Sequence, residues 1–342
     1  MSHTPSSESL MDELAQEEAR LKEAMKTWVI SDGTAGMVSQ SLALVQAMGI
    51  PFKQVQIYPS PIYRLFPQMG AVPFMPISPR RSDRKLGPPW PELVIACGKR
   101  MAGAALAIKR LNRGQTKLVH IQDPHIDPRY FDAMVIPRHD ALASAGHAHI
   151  IPSLGALNRL TSDIITEEAQ TLSDRLGTIA TPITGVMVGG TNRRYRPRRQ
   201  DYERFAADLV SYAKAQGRFL VVATSRRTSK EGARILAEAL APVPHRLWTG
   251  QDEGNPYPGL LGLATEMVVT SDSVNMMSEA AMTGLPLYSY ELQPEEGRLA
   301  LFHRQMQDGG YSKPFGTPFT TAPRILDQTN DIAHQVMALL GR

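Results

Sequence analysis

Between Thr27 and Tyr290 the chain alternates short apolar, β-rich runs with amphipathic helical segments, twice over, and no other feature limits its fold as much. The first series reads "TWVIS" as strand, "DGTAGMVSQSLALVQAMG" as turn and helix, and "FKQVQIY" as strand. After a proline-rich stretch come "ELVIAC", the helix "GKRMAGAALAIKRLN", and the strands "TKLVHIQ", "AMVIP" and "HAHIIP". The second starts at "PITGVMVGG" and runs through "QDYERFAADLVSYAKAQG", "RFLVVAT", "KEGARILAEALA", "HRLWT", "YPGLLGLA", "EMVVT" and "VNMMSEAAMTG" to "PLYSY". Strands separated by helix-length segments pair in parallel through right-handed crossovers, and helices cover both faces of such a sheet. The pattern therefore predicts an α/β protein of two Rossmann-like domains whose parallel sheets face a central cleft. Its 342 residues suit two domains, each with its own core. The expected division is a flexible tail and peripheral helix at 1–26, an N-terminal domain at 27–165, and a C-terminal domain at 166–321. A final helix at 322–342 is expected to pack back on the N-terminal domain.

Composition excludes several classes. One cysteine, Cys97, permits no intramolecular disulfide and no thiolate metal cluster, and favours a reducing compartment. No apolar run approaches the roughly 20 residues that span a bilayer, and no secretory leader pattern opens the chain, so the expected location is cytoplasmic. The net charge of +4 is unevenly spread. "SPRRSDRKLG" (Ser78 to Gly87) holds Arg80, Arg81, Arg84 and Lys85, and "NRRYRPRRQ" holds five arginines between Arg193 and Arg199. The first cluster has two readings: a surface that brings the protein to the inner face of an anionic membrane where a lipid-linked acceptor resides, or a solvated face. The second is placed to neutralise an anionic ligand. Neither interleaves aromatics beyond Tyr195, so nucleic acid is not an expected partner; a protein partner stays open.

In open parallel sheets ligands bind beyond the carboxyl ends of the strands, which makes the loops there the candidate site. "SDGTAG" follows the first strand, and "GKR", "QDPH", "GGTNRR", "SRRTS" and "TSDSVN" follow later ones. "SDGTAG" has neither the spacing of a dinucleotide fingerprint nor the ending of a P-loop, and alone it reads as a tight turn. In the second half, "GGTN" (Gly189, Gly190, Thr191, Asn192), "SRRTS" (Ser225, Arg226) and "TSDSVNMMSEAA" follow strands of one sheet and can converge. There Ser271 and Ser273 stand at a helix entrance, where exposed N–H groups and the dipole favour an anion, and Glu279 lies about two turns inside. A carboxylate at that spacing reaches the ribose beside a bound diphosphate; the other reading is a capping serine with Glu279 in solvent.

"VVTSDSVNMMSEAAMTGLPLY", "GVMVGGTN" and "TSRRT" resemble the donor half of GT-B glycosyltransferases, in particular the type that transfers N-acetylglucosamine in peptidoglycan synthesis. From "WVISDGTAGMVSQSLALVQAMG" through "HIQDPHID" to "GLPLYSYEL", residues 27 to 320, the chain more closely resembles the plant mitochondrial fission family named for elongated mitochondria, and its bacterial relatives. The resemblance implies a GT-B fold with a nucleoside-diphosphate sugar held by the second domain. It places Gly189, Gly190 and Thr191 near the diphosphate, Ser225 and Arg226 beside the nucleotide, Ser273 and Asn275 on the diphosphate, and Glu279 on the ribose. It also implies catalysis with no bound metal or other cofactor, and "HIQDPHID" is not read as a metal site.

The bacterial relatives carry a histidine in the pattern Asp-Gly-x-Ala-Gly-His, where this chain has Met37, which accepts no proton. Asp32 is then the candidate general base, with turn formation as its other reading, and Asp123 and His125 are second candidates. The expected activity is that of an inverting sugar transferase acting on an acceptor hydroxyl. Two other classes stay open: an adaptor of the fission-family type that has kept the fold and lost the chemistry, which Met37 favours, and a nucleotide-sugar epimerase.

Overall fold

A computed structural model describes residues 23–59, 61, 65–71, 87–192, 195–249, 256–294 and 296–342. The N-terminal tail up to residue 22, the basic cluster Arg80, Arg81, Arg84 and Lys85, and Arg193 and Arg194 lie outside the described residues. The chain divides into two compact units: residues 1–153, 157–159 and 328–342, and residues 154–156 and 160–327.

The first unit is built on a six-stranded parallel sheet of β1 (Thr27–Ser31), β2 (Lys53–Gln56), β3 (Leu93–Cys97), β4 (Lys117–Ile121), β5 (Ala133–Pro137) and β6 (Ile150–Ser153). The strand order is β2-β1-β3-β4-β5-β6. β3 is buried along its whole length, as a central parallel strand covered on both faces must be. Helix α1 (Ala35–Ala47) and the last helix, Thr329–Leu340, cover one face with Leu44, Val45, Ile332 and Val336. Helix α2 (Lys99–Leu111) covers the other with Met101, Ala105 and Ile108.

The second unit has another six-stranded parallel sheet: β7 (Ile183–Val188), β8 (Phe219–Thr224), β9 (His245–Trp248), β10 (Glu266–Thr270), β11 (Leu287–Tyr290) and β12 (Lys313–Pro314), in the order β12-β11-β10-β7-β8-β9. Between the strands run α3 (Ser162–Leu176), α4 (Arg199–Gln216), α5 (Lys230–Ala239), α6 (Tyr257–Leu263), α7 (Val274–Ala281) and α8 (Arg298–Asp308), and the chain ends with α9 (Thr329–Leu340). Leu172, Leu260, Met277 and Phe302 build the core on one face, and Tyr202, Phe205, Leu209 and Leu236 on the other. Each unit is thus a doubly wound α/β fold, and the pair is the make-up of a GT-B-like chain.

The units part at residues 154–160, upstream of the expected boundary after residue 165, because α3 packs on α6 of the second unit. Helix α9 packs on α1, β5 and β6. Helix α8 and strand β12 were not anticipated: α8 opens at Gly297 with no side-chain cap, so no start signal marks it. Both chain segments that lead into and out of the second unit are seated on α7. The Ala156 N–H donates to Ser278 Oγ at 2.9 Å, and the Leu326 N–H donates to the Ala281 carbonyl at 3.0 Å. Among the described residues no helix is long and apolar enough to cross a membrane.

Candidate functional site

In the C-terminal sheet β7 lies beside β10, and the chain leaves them in opposite directions, so their carboxyl ends flank a topological switch point. Asp272 stands there, its side chain fully buried. It accepts from the Gly190 N–H at 3.0 Å and the Thr270 hydroxyl at 2.8 Å, and pairs with an Arg227 Nη at 3.1 Å. Loss of hydration pushes its carboxyl above the usual carboxylate range, against the opposing pull of these partners. The Gly189 N–H donates to Thr270 Oγ1 at 2.7 Å.

These bonds alter the role read for the glycine pair. Both amides are engaged within the protein, and what the positions require is the missing side chain. A Cβ at Gly189 would fall 2.0 Å from Asp272 Oδ1, and one at Gly190 would fall 2.1 Å from the Arg227 carbonyl oxygen. The Thr191 N–H bonds that same carbonyl at 3.0 Å. Asn192 closes a turn, its side chain accepting from the Tyr195 N–H at 2.9 Å.

Ser273 caps α7, accepting from the Met276 N–H at 3.4 Å. Ser271 is fully buried; its N–H donates to the Tyr290 carbonyl at 3.0 Å, and its own carbonyl accepts from His303 Nε2 at 2.7 Å. Asn275 lies half-buried in the first turn. One turn further, half-buried Glu279 accepts a hydrogen bond from the Tyr257 hydroxyl. Loss of hydration pushes the Glu279 carboxyl up to about 7, opposed by the Tyr257 bond. Burial, then the neighbouring Glu279 charge, raises the Tyr257 phenol well above its ordinary value. Of the other reading of the sequence, the capping serine is observed and a solvated Glu279 is not.

A cavity of about 380 Å³ opens at the ends of β7, β8 and β9. Met187, Val188, Ala223, Trp248, Pro256 and Met276 form its apolar part; Thr224, Ser225, Arg226, Thr249 and Tyr257 complete the wall. Ser225 and Arg226 thus line this cavity, and Glu279 connects to it through Tyr257. The guanidinium groups of Arg175 and Arg246 lie 5.3 and 5.5 Å from the Trp248 ring centroid, which holds the indole in place. Trp248, Tyr257, Met276, Asp272 and Arg227 were missed in the sequence. An aromatic residue ending a strand, as in "HRLWT", was the available signal for Trp248.

In the N-terminal unit Asp32 and Arg100 face each other across the switch point between β1 and β3. Asp32 Oδ1 accepts from the Thr34 N–H at 3.1 Å, and Oδ2 lies 3.1 Å from an Arg100 Nη. Partial burial pushes its carboxyl up, but the bonds from Thr34 and Arg100 outweigh this and hold it below the usual range. That is the environment of a turn-forming carboxylate more than of a strong base. Asp123 Oδ1 accepts from the His125 N–H at 2.7 Å and lies 3.1 Å from His125 Nδ1. Gln122 and His125 flank this turn with φ of 69° and 59°, left-handed values that cost non-glycine residues energy and recur at functional sites. Met37 is half-buried and packs against the core, where the Cys97 thiol meets its Sδ at 3.3 Å. Among the described residues no three His, Cys, Asp or Glu side chains are grouped to hold a metal ion.

Over 248 residues the chain is 27% identical to mitochondrial fission protein ELM1 of Arabidopsis thaliana, an alignment covering 66% of this chain and 57% of that protein, less than two thirds of its length. It is 26% identical over 302 residues to the uncharacterized protein RP120 of Rickettsia prowazekii, covering 78% of this chain and 83% of the other. Among solved structures it is similar in fold to a UDP-N-acetylglucosamine 2-epimerase from Rickettsia bellii. The TM-score there is 0.53 at 12% identity, over 93% of this chain and 95% of that one. With residues 35–340 matching the family described as Mitochondrial fission ELM1, the chain belongs to that family.

Proposed function

We propose that the C-terminal unit binds a nucleoside-diphosphate sugar and that the protein transfers the sugar to an acceptor hydroxyl. The observation that carries the reading is the pairing of Glu279 with Tyr257 at the wall of the 380 Å³ cavity, six residues along α7 from the Ser273 cap at the switch point. In this reading the base packs beside Trp248 at the cavity wall, and Glu279 accepts from ribose hydroxyls. The diphosphate lies toward the start of α7, and Arg226 stands beside the nucleotide on the cavity wall. Two more placements come from the sequence reading: a lipid-linked acceptor at an anionic membrane surface, and a cytoplasmic location.

Transfer with inversion requires a base that takes the acceptor proton as its oxygen attacks the anomeric carbon, while the bond from that carbon to the diphosphate breaks. Asp123, with His125 against it, is proposed for this step ahead of Asp32. The ion pair to Arg100 that lowers Asp32's basicity motivates the choice.

A thermal-shift screen against nucleoside diphosphates and their sugars tests the binding half. A hit whose stabilisation vanishes in Glu279→Ala supports it; no response from the wild-type protein to any nucleotide refutes it. The adaptor reading draws on Met37, packed against Cys97 where a family histidine would stand, and expects binding with no turnover under any acceptor. Incubating a hit without acceptor and analysing the sugar separates transfer from epimerisation.

A further inference from the structure

We infer that Arg227 is the residue that meets the ligand's diphosphate, and that buried Asp272 is the positioning residue that aims it. The inference rests on the nucleotide reading above and adds two residues to it. Of the adjacent arginines, Arg226 lines the cavity, whereas the Arg227 backbone is built into the switch point. Its carbonyl accepts the Thr191 N–H at 3.0 Å, its own N–H donates to Ser225 Oγ at 3.1 Å, and Gly190 lies directly against it. Its side chain keeps 40% of its surface open to solvent, while the Asp272 side chain it pairs with keeps none.

The charge on Asp272 calls for explanation. Burying a carboxylate is costly unless a cation and hydrogen bonds compensate. The bonds from the Gly190 N–H to Oδ2 and from the Thr270 hydroxyl to Oδ1 need an acceptor at each oxygen but no full charge, and a protonated carboxyl also offers both. Among its partners in the described residues, Arg227 is the one that needs the charge. Asp272 immediately precedes the cap of α7, so a guanidinium held 3.1 Å from it stands beside the first turn of that helix. A guanidinium has five N–H donors in a planar fork suited to two phosphate oxygens, and one end committed to Asp272 leaves donors for a ligand. The amides of Gly189 and Gly190 are already committed to Thr270 and Asp272, so the positive charge at this edge must come from side chains and the helix start. Ion-paired anchoring fixes the guanidinium before a ligand arrives, which reduces the entropy lost on binding.

The test compares wild type, Arg227→Gln, Asp272→Asn and the double variant, with UDP and ADP by calorimetry and with uridine and adenosine by NMR titration. Wild type is expected to bind at least one diphosphate. Each single variant is expected to weaken it by roughly ten- to hundredfold, the scale of one hydrogen bond to a charged group. The nucleosides should change by less than about twofold, and the double variant should be no weaker than Arg227→Gln, since the two residues act through one contact. The inference is overturned if Arg227→Gln leaves diphosphate affinity unchanged, if Asp272→Asn tightens binding, or if nucleoside affinity falls equally. Should Asp272→Asn fail to fold, Arg227→Gln carries the test, because it leaves the Gly190 and Thr270 bonds in place. If wild type binds neither UDP nor ADP, the nucleotide reading itself fails and this inference with it, a result visible before any variant is made.

Discussion

Replacing Glu279 by glutamine should stabilise the unliganded protein at alkaline pH and abolish its response to nucleotide. An ordinary glutamate titrates near 4.5, whereas burial pushes Glu279 up to about 7. The folded state thus binds a proton that the unfolded state releases between those values. Below 4.5 both states are neutral and the carboxyl costs nothing. As pH rises through 7 the folded protein must ionise a poorly hydrated group, and stability falls. At about 1.4 kcal/mol per pH unit the full penalty is about 3 kcal/mol. Glutamine keeps an oxygen to accept from Tyr257 and carries no charge. Glu279→Gln should match wild type at pH 4.5 and exceed it by up to about 3 kcal/mol at pH 8.5, roughly 6–10 °C in the melting of a unit this size. Urea or thermal unfolding followed across that range measures the difference. Equal stability at pH 8.5, or a gap that shrinks as pH rises, refutes the claim that Glu279 is held in a dehydrated site. Stability gained together with nucleotide response lost would mark a residue kept for a ligand.

Gly189→Ala should cost about 1–3 kcal/mol in urea unfolding, because its methyl group would fall on the Asp272 carboxylate; a neutral result would mean that the two loops separate readily. Asp32→Asn should cost under about 1 kcal/mol at pH 7, since its partner Arg100 is largely exposed. Because Asp32 titrates below the usual range, that difference should be present at neutral pH and disappear as pH falls through its folded value, read from urea midpoints between pH 7 and 2.5. Cys97 is 3% exposed, and burial raises its thiol, so an aromatic disulfide reagent should label no thiol in the folded protein and one per chain in denaturant; prompt labelling of the native protein would contradict the packing of Cys97 against Met37.

Much of the architecture could be read from the sequence because parallel strands buried on both faces, such as "LVIAC" and "GVMV", are marked by their residues alone. The helices between them were marked by spacing and by glycine stops such as Gly217, which is left-handed as expected of a helix end. Helix α8 was missed because its start carries no local signal. In the site, the seryl cap was readable from local spacing as the alternative to an anion site, and Ser225 and Arg226 lie on the cavity wall. Asp272 was passed over because its meaning depends on Gly190 and Arg227, which are 82 and 45 positions away in sequence and brought together only by the β7–β10 pairing. Tyr257 was passed over for the same reason, since it meets Glu279 from another helix. Asp32 shows the reverse case: a carboxylate in a glycine-rich loop suggests chemistry, and the arginine that lowers its basicity is 68 residues distant.

Helix α7 presents Met276 to the cavity and Glu279 to Tyr257 of its wall, and Ser278 and Ala281 to the segments by which the chain enters and leaves the C-terminal unit. Eight residues therefore serve two masters, and their evolutionary freedom is correspondingly small. A lineage adapting this helix to a new ligand would have positions 276 and 279 to vary. A bulkier residue at 278, by contrast, would meet Gly155, whose added Cβ would already lie 2.3 Å from Ser278 Oγ. Divergence in ligand preference should accordingly be concentrated in the strand-end loops carrying Arg226 and Trp248, which can change one at a time without disturbing how the chain is threaded.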